Sequence, residues 1–120
     1  MRVTEEQVLS RMRKICLTLP GTEEIRTYGH PGFKAQGRIY AVLEEYKGEL
    51  SIVVKVGTGT QDLFLADSRF YLTPYIGRQG WVSLKVHAAP VDWREIRELL
   101  TGSYELAAPV RKGAATKRLS

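Results

Sequence analysis

The chain has 120 residues, 43% hydrophobic and 26% charged, with 18 basic and 13 acidic side chains and a formal net charge of +5. That is the size and make-up of one globular domain, able to bury about two-thirds of its unfolded surface without a staple. No apolar run reaches the roughly 18 residues of a membrane span, the opening Met-Arg-Val-Thr-Glu-Glu lacks an apolar signal core, and one cysteine builds neither an internal disulfide nor a cysteine zinc site, so the expected setting is the cytoplasm.

The charge is unevenly placed. Arg111, Lys112, Lys117 and Arg118 lie in the last ten residues, which hold no acid; without them the body has 14 basic against 13 acidic groups. Any phosphate-binding face on the body must therefore come from segregation of charge rather than from excess.

In chain order, Thr4 opens the first helix as N-cap, Gln7 closes a capping box, and Val3 with Val8 forms a hydrophobic staple. Val8, Met12, Ile15, Cys16 and Leu19 recur at helical spacing as one apolar stripe, and Pro20-Gly21 is expected to stop the helix. Cys16 lies on that stripe and reads as a small core residue rather than a reactive thiol. Glu23 to Tyr28 reads as a short edge strand. Gly29-His30-Pro31-Gly32 reads as a rigid bend that fixes His30.

A three-strand meander follows: Phe33 to Ala35, a turn at Gln36-Gly37, Arg38 to Glu45, a turn at Lys47-Gly48, then Glu49 to Val56. Leu50, Ile52, Val54 and Val56 alternate toward a buried face, matched by Ile39, Ala41 and Leu43; Ser51, Val53 and Lys55 take the other face, with Tyr40, Val42 and Glu44. Gly57-Thr58-Gly59-Thr60 precedes a short helix around Gln61 to Ala66 with Thr60 as N-cap, and it lacks the Gly-Lys-Ser/Thr of a phosphate loop. Beyond Phe70-Tyr71-Leu72, Pro74, Gly77 and Gly80 shape a basic, aromatic loop with Arg78 on a turn. The cleanest alternation in the chain comes next: Val82, Leu84 and Val86 on one side, Trp81, Ser83, Lys85 and His87 on the other. Asp92, with Glu95 closing a box and Val91 and Ile96 as staple, caps the last helix. Its stripe is Trp93, Ile96, Leu99, Leu100, Tyr104 and Ala107, and Pro109 ends it. Residues 1–109 thus read as a single domain and 110–120 as a basic, disordered tail.

Terminal helices with one-sided stripes around a tightly turned strand series imply an α+β two-layer sandwich: a mainly antiparallel sheet with the N- and C-terminal helices on one face and the other face partly open. Ser83 and His87, about 13 Å apart along a strand, are too distant for a nucleophile–base pair. No paired carboxylates, metal cluster or cofactor fingerprint stands out, so neither catalysis nor a cofactor nor a metal is expected.

Several pieces occur in an order seen in the MmcQ/YjbR-like proteins: Leu19-Pro20-Gly21, Gly29-His30-Pro31 with Phe33, Phe70, Pro74-Tyr75-Ile76-Gly77, Gly80-Trp81-Val82-Ser83, and Ser103-Tyr104 with Pro109. The chain resembles that family over about residues 5 to 110. The resemblance implies a CyaY-like (frataxin-like) sandwich and a double-wing DNA-binding mode, with two β-hairpins flanking a duplex. It does not bring iron binding with it, because Glu5 and Glu6 are the first helix's only acids, against three basic groups.

The expected function is therefore non-catalytic binding of double-stranded DNA by basic hairpins, through Lys34, Arg38, Lys55, Arg78, Trp81 and Lys85, with Lys47 at a hairpin tip. Glu44, Glu45 and Glu49 beside that tip would repel phosphate. The alternative is a module that binds a small-molecule anion or a protein in an anion-and-aromatic pocket made by His30, Tyr75, Arg78 and Trp81. No membrane partner is expected.

Overall fold

A computed structural model describes residues 2–108. The expected stop at Pro109 and the tail 110–120 lie outside the described residues. The elements, in order, are α1 (Glu5–Cys16), β1 (Thr22–Thr27), β2 (His30–Ala35), β3 (Arg38–Tyr46), β4 (Glu49–Lys55), α2 (Gln61–Leu65), β5 (Phe70–Leu72), a one-turn 3₁₀ helix (Gly77–Gln79), β6 (Trp81–Lys85) and α3 (Trp93–Ala107).

The six strands form one antiparallel sheet in the order β1-β2-β3-β4-β6-β5. The first four make a continuous meander. Each of its three hairpins closes on two residues with positive φ: Tyr28-Gly29 (52° and 84°), Gln36-Gly37 (53° and 78°) and Lys47-Gly48 (52° and 82°). Positive φ at both central positions is the turn whose twist matches that of the flanking strands. The bend expected at Gly29-His30-Pro31-Gly32 therefore sits one step earlier, and His30 and Pro31 open β2, paired with Thr27 and Arg26.

Helices α1 and α3 cover one face of this sheet. The capping box of Thr4 and Gln7 forms as expected, and Val8, Met12, Ile15 and Cys16 are buried. The helix ends at Cys16 rather than at Pro20-Gly21. Tight turns follow, with Leu19 N–H bonded to the Cys16 carbonyl, while the Thr18 hydroxyl takes the Ile15 carbonyl. On α3, Asp92 accepts from the amides of Arg94 and Glu95. Glu95 itself does not close a box; its carboxylate grips Arg69 in two bonds of 2.8 Å. Ile96, Leu99, Leu100, Ser103 and Ala107 are buried, joining Leu43, Leu50, Ile52, Val54, Val82 and Leu84 in the main core. Phe64 and Leu65 of α2 pack against that core.

One irregularity decides which side chains reach which face. Between Phe33 and Lys34 the β2–β3 register shifts: Phe33 pairs with Ala41, but Lys34 pairs with Ile39. The extra residue on β3 is Tyr40. It is a β-bulge, and past it the alternation changes phase. Tyr40 joins Ala41 and Leu43 in the core, and Ile39 moves to the opposite face, against the strict alternation that the sequence suggests. Tyr40 is held by a 2.9 Å bond to the Thr22 hydroxyl and an edge-on contact with Tyr104. The backbone that the bulge displaces is satisfied by Ser103, whose hydroxyl donates to the Tyr40 carbonyl (2.5 Å) and accepts from the Lys55 amide (2.8 Å). Burial pushes the Cys16 thiol up to about 12, so it stays protonated and inert.

Candidate functional site

The face that the helices leave free is not a flat polar surface. Val42, Val53 and Trp81 form a second buried cluster there, with Ile39 and Ile76 packed on it. Neighbouring strands supply them in register: Val42 pairs with Val53, and Trp81 stands beside Lys55. Ile76 comes from residues 73–80, which return from edge strand β5 and fold over the sheet before β6 inserts between β4 and β5.

Residues 73–80 are pinned at several points. Thr73 and Ser83 share a buried 2.9 Å hydroxyl bond, and the Gln61 amide of α2 donates to the carbonyls of Gly77 and Trp81. The Gly80 carbonyl accepts from the amides of Val56 (2.7 Å) and Gly57 (3.1 Å). Gly80 has φ +100°, and a Cβ there would lie 3.0 Å from the Gly57 backbone, so only glycine fits. The Gly57 turn is thus an anchor for the loop. Thr60 holds the N-cap position of α2, but its hydroxyl bonds back to the carbonyls of Val56 and Gly57 instead of capping.

Between the loop, the sheet and two hairpin tips lies an open cavity of about 650 Å³. Its floor is Ile39, Val42, Val53, Ile76 and Trp81; its walls and rim carry Thr27, Tyr28, His30, Glu44, Glu45, Tyr46, Thr73, Pro74, Tyr75 and Gln79. Trp81 is only 8% exposed, whereas the rim tyrosines Tyr28 and Tyr75 are 99% and 95% exposed. Both rim tyrosines also sit in left-handed backbone, at φ 52° and 70°, where bulky side chains are rare. Tyr46 stacks on Tyr71, and the Lys47 ammonium lies 5.4 Å from the Tyr46 ring centroid.

Of the pocket expected from the sequence, His30, Tyr75 and Trp81 come together in this cavity, and Arg78 does not line it. Arg78 is exposed in the 3₁₀ turn, between Gly77 and Gln79. The charged side chain that projects on the cavity's side of the sheet is Glu44, whereas Glu45 pairs with the core residue Leu50 and so points to the other face; no lysine or arginine is among the lining residues.

Of the six residues expected to meet DNA, Lys34, Lys55, Trp81 and Lys85 stand on the open side of the sheet but at different ends of it, and Arg38 and Arg78 do not. Lys34 shares the open side with Ile39, and Lys55 stands opposite Trp81. Arg38 pairs with the core residue Ala35 and so lies on the helix-covered side, beside the Gln36-Gly37 tip. Lys85 pairs with Ser51, toward the Lys47-Gly48 tip at the other end of the sheet. Arg78, Trp81 and Lys85 therefore do not form one compact surface, since Lys85 is about 13 Å along β6 from Trp81 and Trp81 is buried. His87 has left the strand face too: its Nε2 bonds the Val3 carbonyl and its Nδ1 meets Arg2.

Alternation alone missed Tyr28, Glu44, Tyr46, Ile76 and Gln79 as site residues. The available signal was the bulky Tyr28 before Gly29 at a tight turn, where Asn or Asp is the usual choice. Among the described residues no group of three or more His, Cys, Asp or Glu side chains could hold a metal ion, and no helix is long and apolar enough to cross a membrane.

A family model described as YjbR matches residues 17–106. No curated protein matches the chain. Among solved structures, the crystal structure of Deinococcus radiodurans protein DR2400, a DUF419 domain, superposes with a TM-score of 0.70 at 24% identity, covering 97% of this chain and 90% of that one. At that identity the likeness speaks for the fold.

Proposed function

Starting from the fact that the chain belongs to the YjbR family, we propose that it is a non-catalytic, cytoplasmic binding module whose ligand site is the cavity on the open sheet face. The observation that carries this reading is the second apolar cluster, Val42, Val53 and Trp81, lying at the bottom of an open cavity of about 650 Å³. That volume is in the range of small-ligand sites, and so is the mixture of an apolar floor with a few polar groups.

The duplex-binding reading draws less support. A groove reader needs cations along one face to neutralise phosphates, and Arg38, Arg78 and Lys85 divide between two sheet faces, a loop and two ends of the sheet. Glu44 projects on the open side, opposite Ser51.

Titration with Nile red, a neutral apolar dye, tests the proposal. The dye should brighten on the protein, and Ile76→Asp, which places a charge over the floor, should abolish the signal while circular dichroism stays unchanged. A salt titration with duplex DNA on the same chain, repeated with Lys55→Ala and Arg78→Ala, separates the two readings. Steep salt-dependent affinity that either substitution weakens, with no dye binding, would replace the cavity reading with the nucleic-acid one.

A further inference from the structure

Resting on the reading that the open-face cavity is the ligand site, we infer that its ligand is a small organic cation: an ammonium group carried on an apolar body. Three independent features of the cavity support that chemistry.

The first is charge. Glu44 lies on the open side of β3, in the row where Ser51 and Lys85 follow on the next strands. Among the described residues the Glu44 carboxylate makes no ion pair. An anionic ligand would meet Glu44 with no arginine or lysine lining the wall to offset it.

The second is the aromatic wall. Tyr28 and Tyr75 stand at the opening and Trp81 at the floor, while the Tyr46 ring beside them is already engaged by Tyr71 and Lys47. The faces of such rings carry negative potential and attract ammonium groups, most strongly where water is excluded. The chain already makes this interaction once, with Lys47 over Tyr46 at the edge of the site. Among the described residues no group of three or more His, Cys, Asp or Glu side chains could hold a metal ion, and the wall suits an organic cation instead.

The third is backbone strain. Tyr75, 95% exposed and in left-handed backbone outside any hairpin turn, adds neither burial nor relaxed geometry to the fold. Residues kept in sparsely populated backbone regions gather at ligand clamps, and Tyr75 stands on the rim of this cavity. Hydrophobic Ile39, Val42, Val53 and Ile76 on the floor then account for the apolar body of the ligand.

Three probes of similar size distinguish the outcomes: benzyltrimethylammonium, benzyl alcohol and benzoate. Each is titrated into the full-length protein while the indole N–H resonance of Trp81 is followed by NMR. The cation should bind about tenfold or more tightly than the neutral and anionic probes. Glu44→Gln should cut affinity for the cation about tenfold and leave benzyl alcohol unchanged. Tyr75→Gly should weaken the cation while the melting temperature holds or rises. Equal shifts of Trp81 by all three probes at equal affinity would overturn the charge selection and leave the cavity reading standing. No shift of Trp81 by any probe, with Nile red also silent, would overturn both.

Discussion

The two faces of the sheet are built from the same strands and do different work. On the covered face Phe33, Leu43, Ile52, Val54 and Val82 are sealed by α1 and α3, with almost no exposed area left. On the open face three buried side chains lie beneath a loop and two exposed rim tyrosines. The covered face has every feature of a stability core: continuous apolar packing, capped helices and satisfied backbone. The open face keeps features that stability alone would remove, namely exposed aromatics, positive φ at Tyr75 and, among the described residues, a Glu44 carboxylate without an ion pair. Where stability and binding compete, strain and exposure accumulate on the surface that binds.

Substitutions on the two faces should therefore separate cleanly. The largest effect belongs to the covered face: Leu43→Ala should cost about 2–5 kcal/mol in denaturant unfolding, with dye binding retained under conditions where the variant is folded. If Val53→Ala on the open face cost as much, the division between the faces would fail; the loss expected from its smaller side chain is about 1.5 kcal/mol.

Next comes the joint between the faces. Gly80→Ala meets both a backbone conformation closed to alanine and the Gly57 backbone, and should cost about 1–3 kcal/mol, displacing residues 73–80 and weakening cavity binding as well. A variant of full stability and full binding would show that the Gly57–Gly80 contact does not set the loop. Of similar size, Ser103→Ala leaves the Lys55 amide and the Tyr40 carbonyl without their shared partner and should cost about 1–3 kcal/mol. Because it acts through the bulge, loss of protection at the Lys55 amide in hydrogen exchange should accompany it.

The rim should behave in the opposite direction. Tyr28→Gly and Tyr75→Gly relieve left-handed strain and should each leave stability unchanged or raise it by up to about 1 kcal/mol, while reducing ligand affinity. A large destabilisation at either position would assign that tyrosine to the fold instead.

The smallest effect is a pH dependence confined to the periphery. Hydrogen bonds from Arg69 hold Asp67 at about 2, and Arg13 lowers the pKa of Glu24. A carboxylate depressed in the folded state stabilises fully above its unfolded pKa, near 4 for an aspartate. For Asp67 that contribution fades as pH falls from about 4 toward about 2. Asp67→Asn should flatten the acid limb of the stability curve over that interval and leave binding at neutral pH alone.

Much of this architecture is legible in the residues. The capping box at Thr4, the Asp92 cap, the turn dipeptides Gln36-Gly37 and Lys47-Gly48, and the alternation of Leu50, Ile52 and Val54 all sit where local chemistry puts them. The family resemblance named the family that the matched model supports. The site was legible only in part. His30, Tyr75 and Trp81 do share one cavity, whereas Arg78 stands outside it and Glu44 is among the residues that line it. The phase of Ile39 was hidden by the Tyr40 bulge, which depends on a partner strand and on Ser103 of α3, distant in sequence.

By itself, then, the sequence determined the elements, their buried stripes and the two-layer class, because caps, turns and side-chain periodicity act over a few neighbouring residues. Only the tertiary structure decided that β6 lies between β4 and β5, that residues 73–80 fold over the open face, and that a cavity with an apolar floor results. Those outcomes depend on contacts between residues far apart along the chain, such as Gly57 with Gly80 and Ser103 with Tyr40, and no local pattern encodes them.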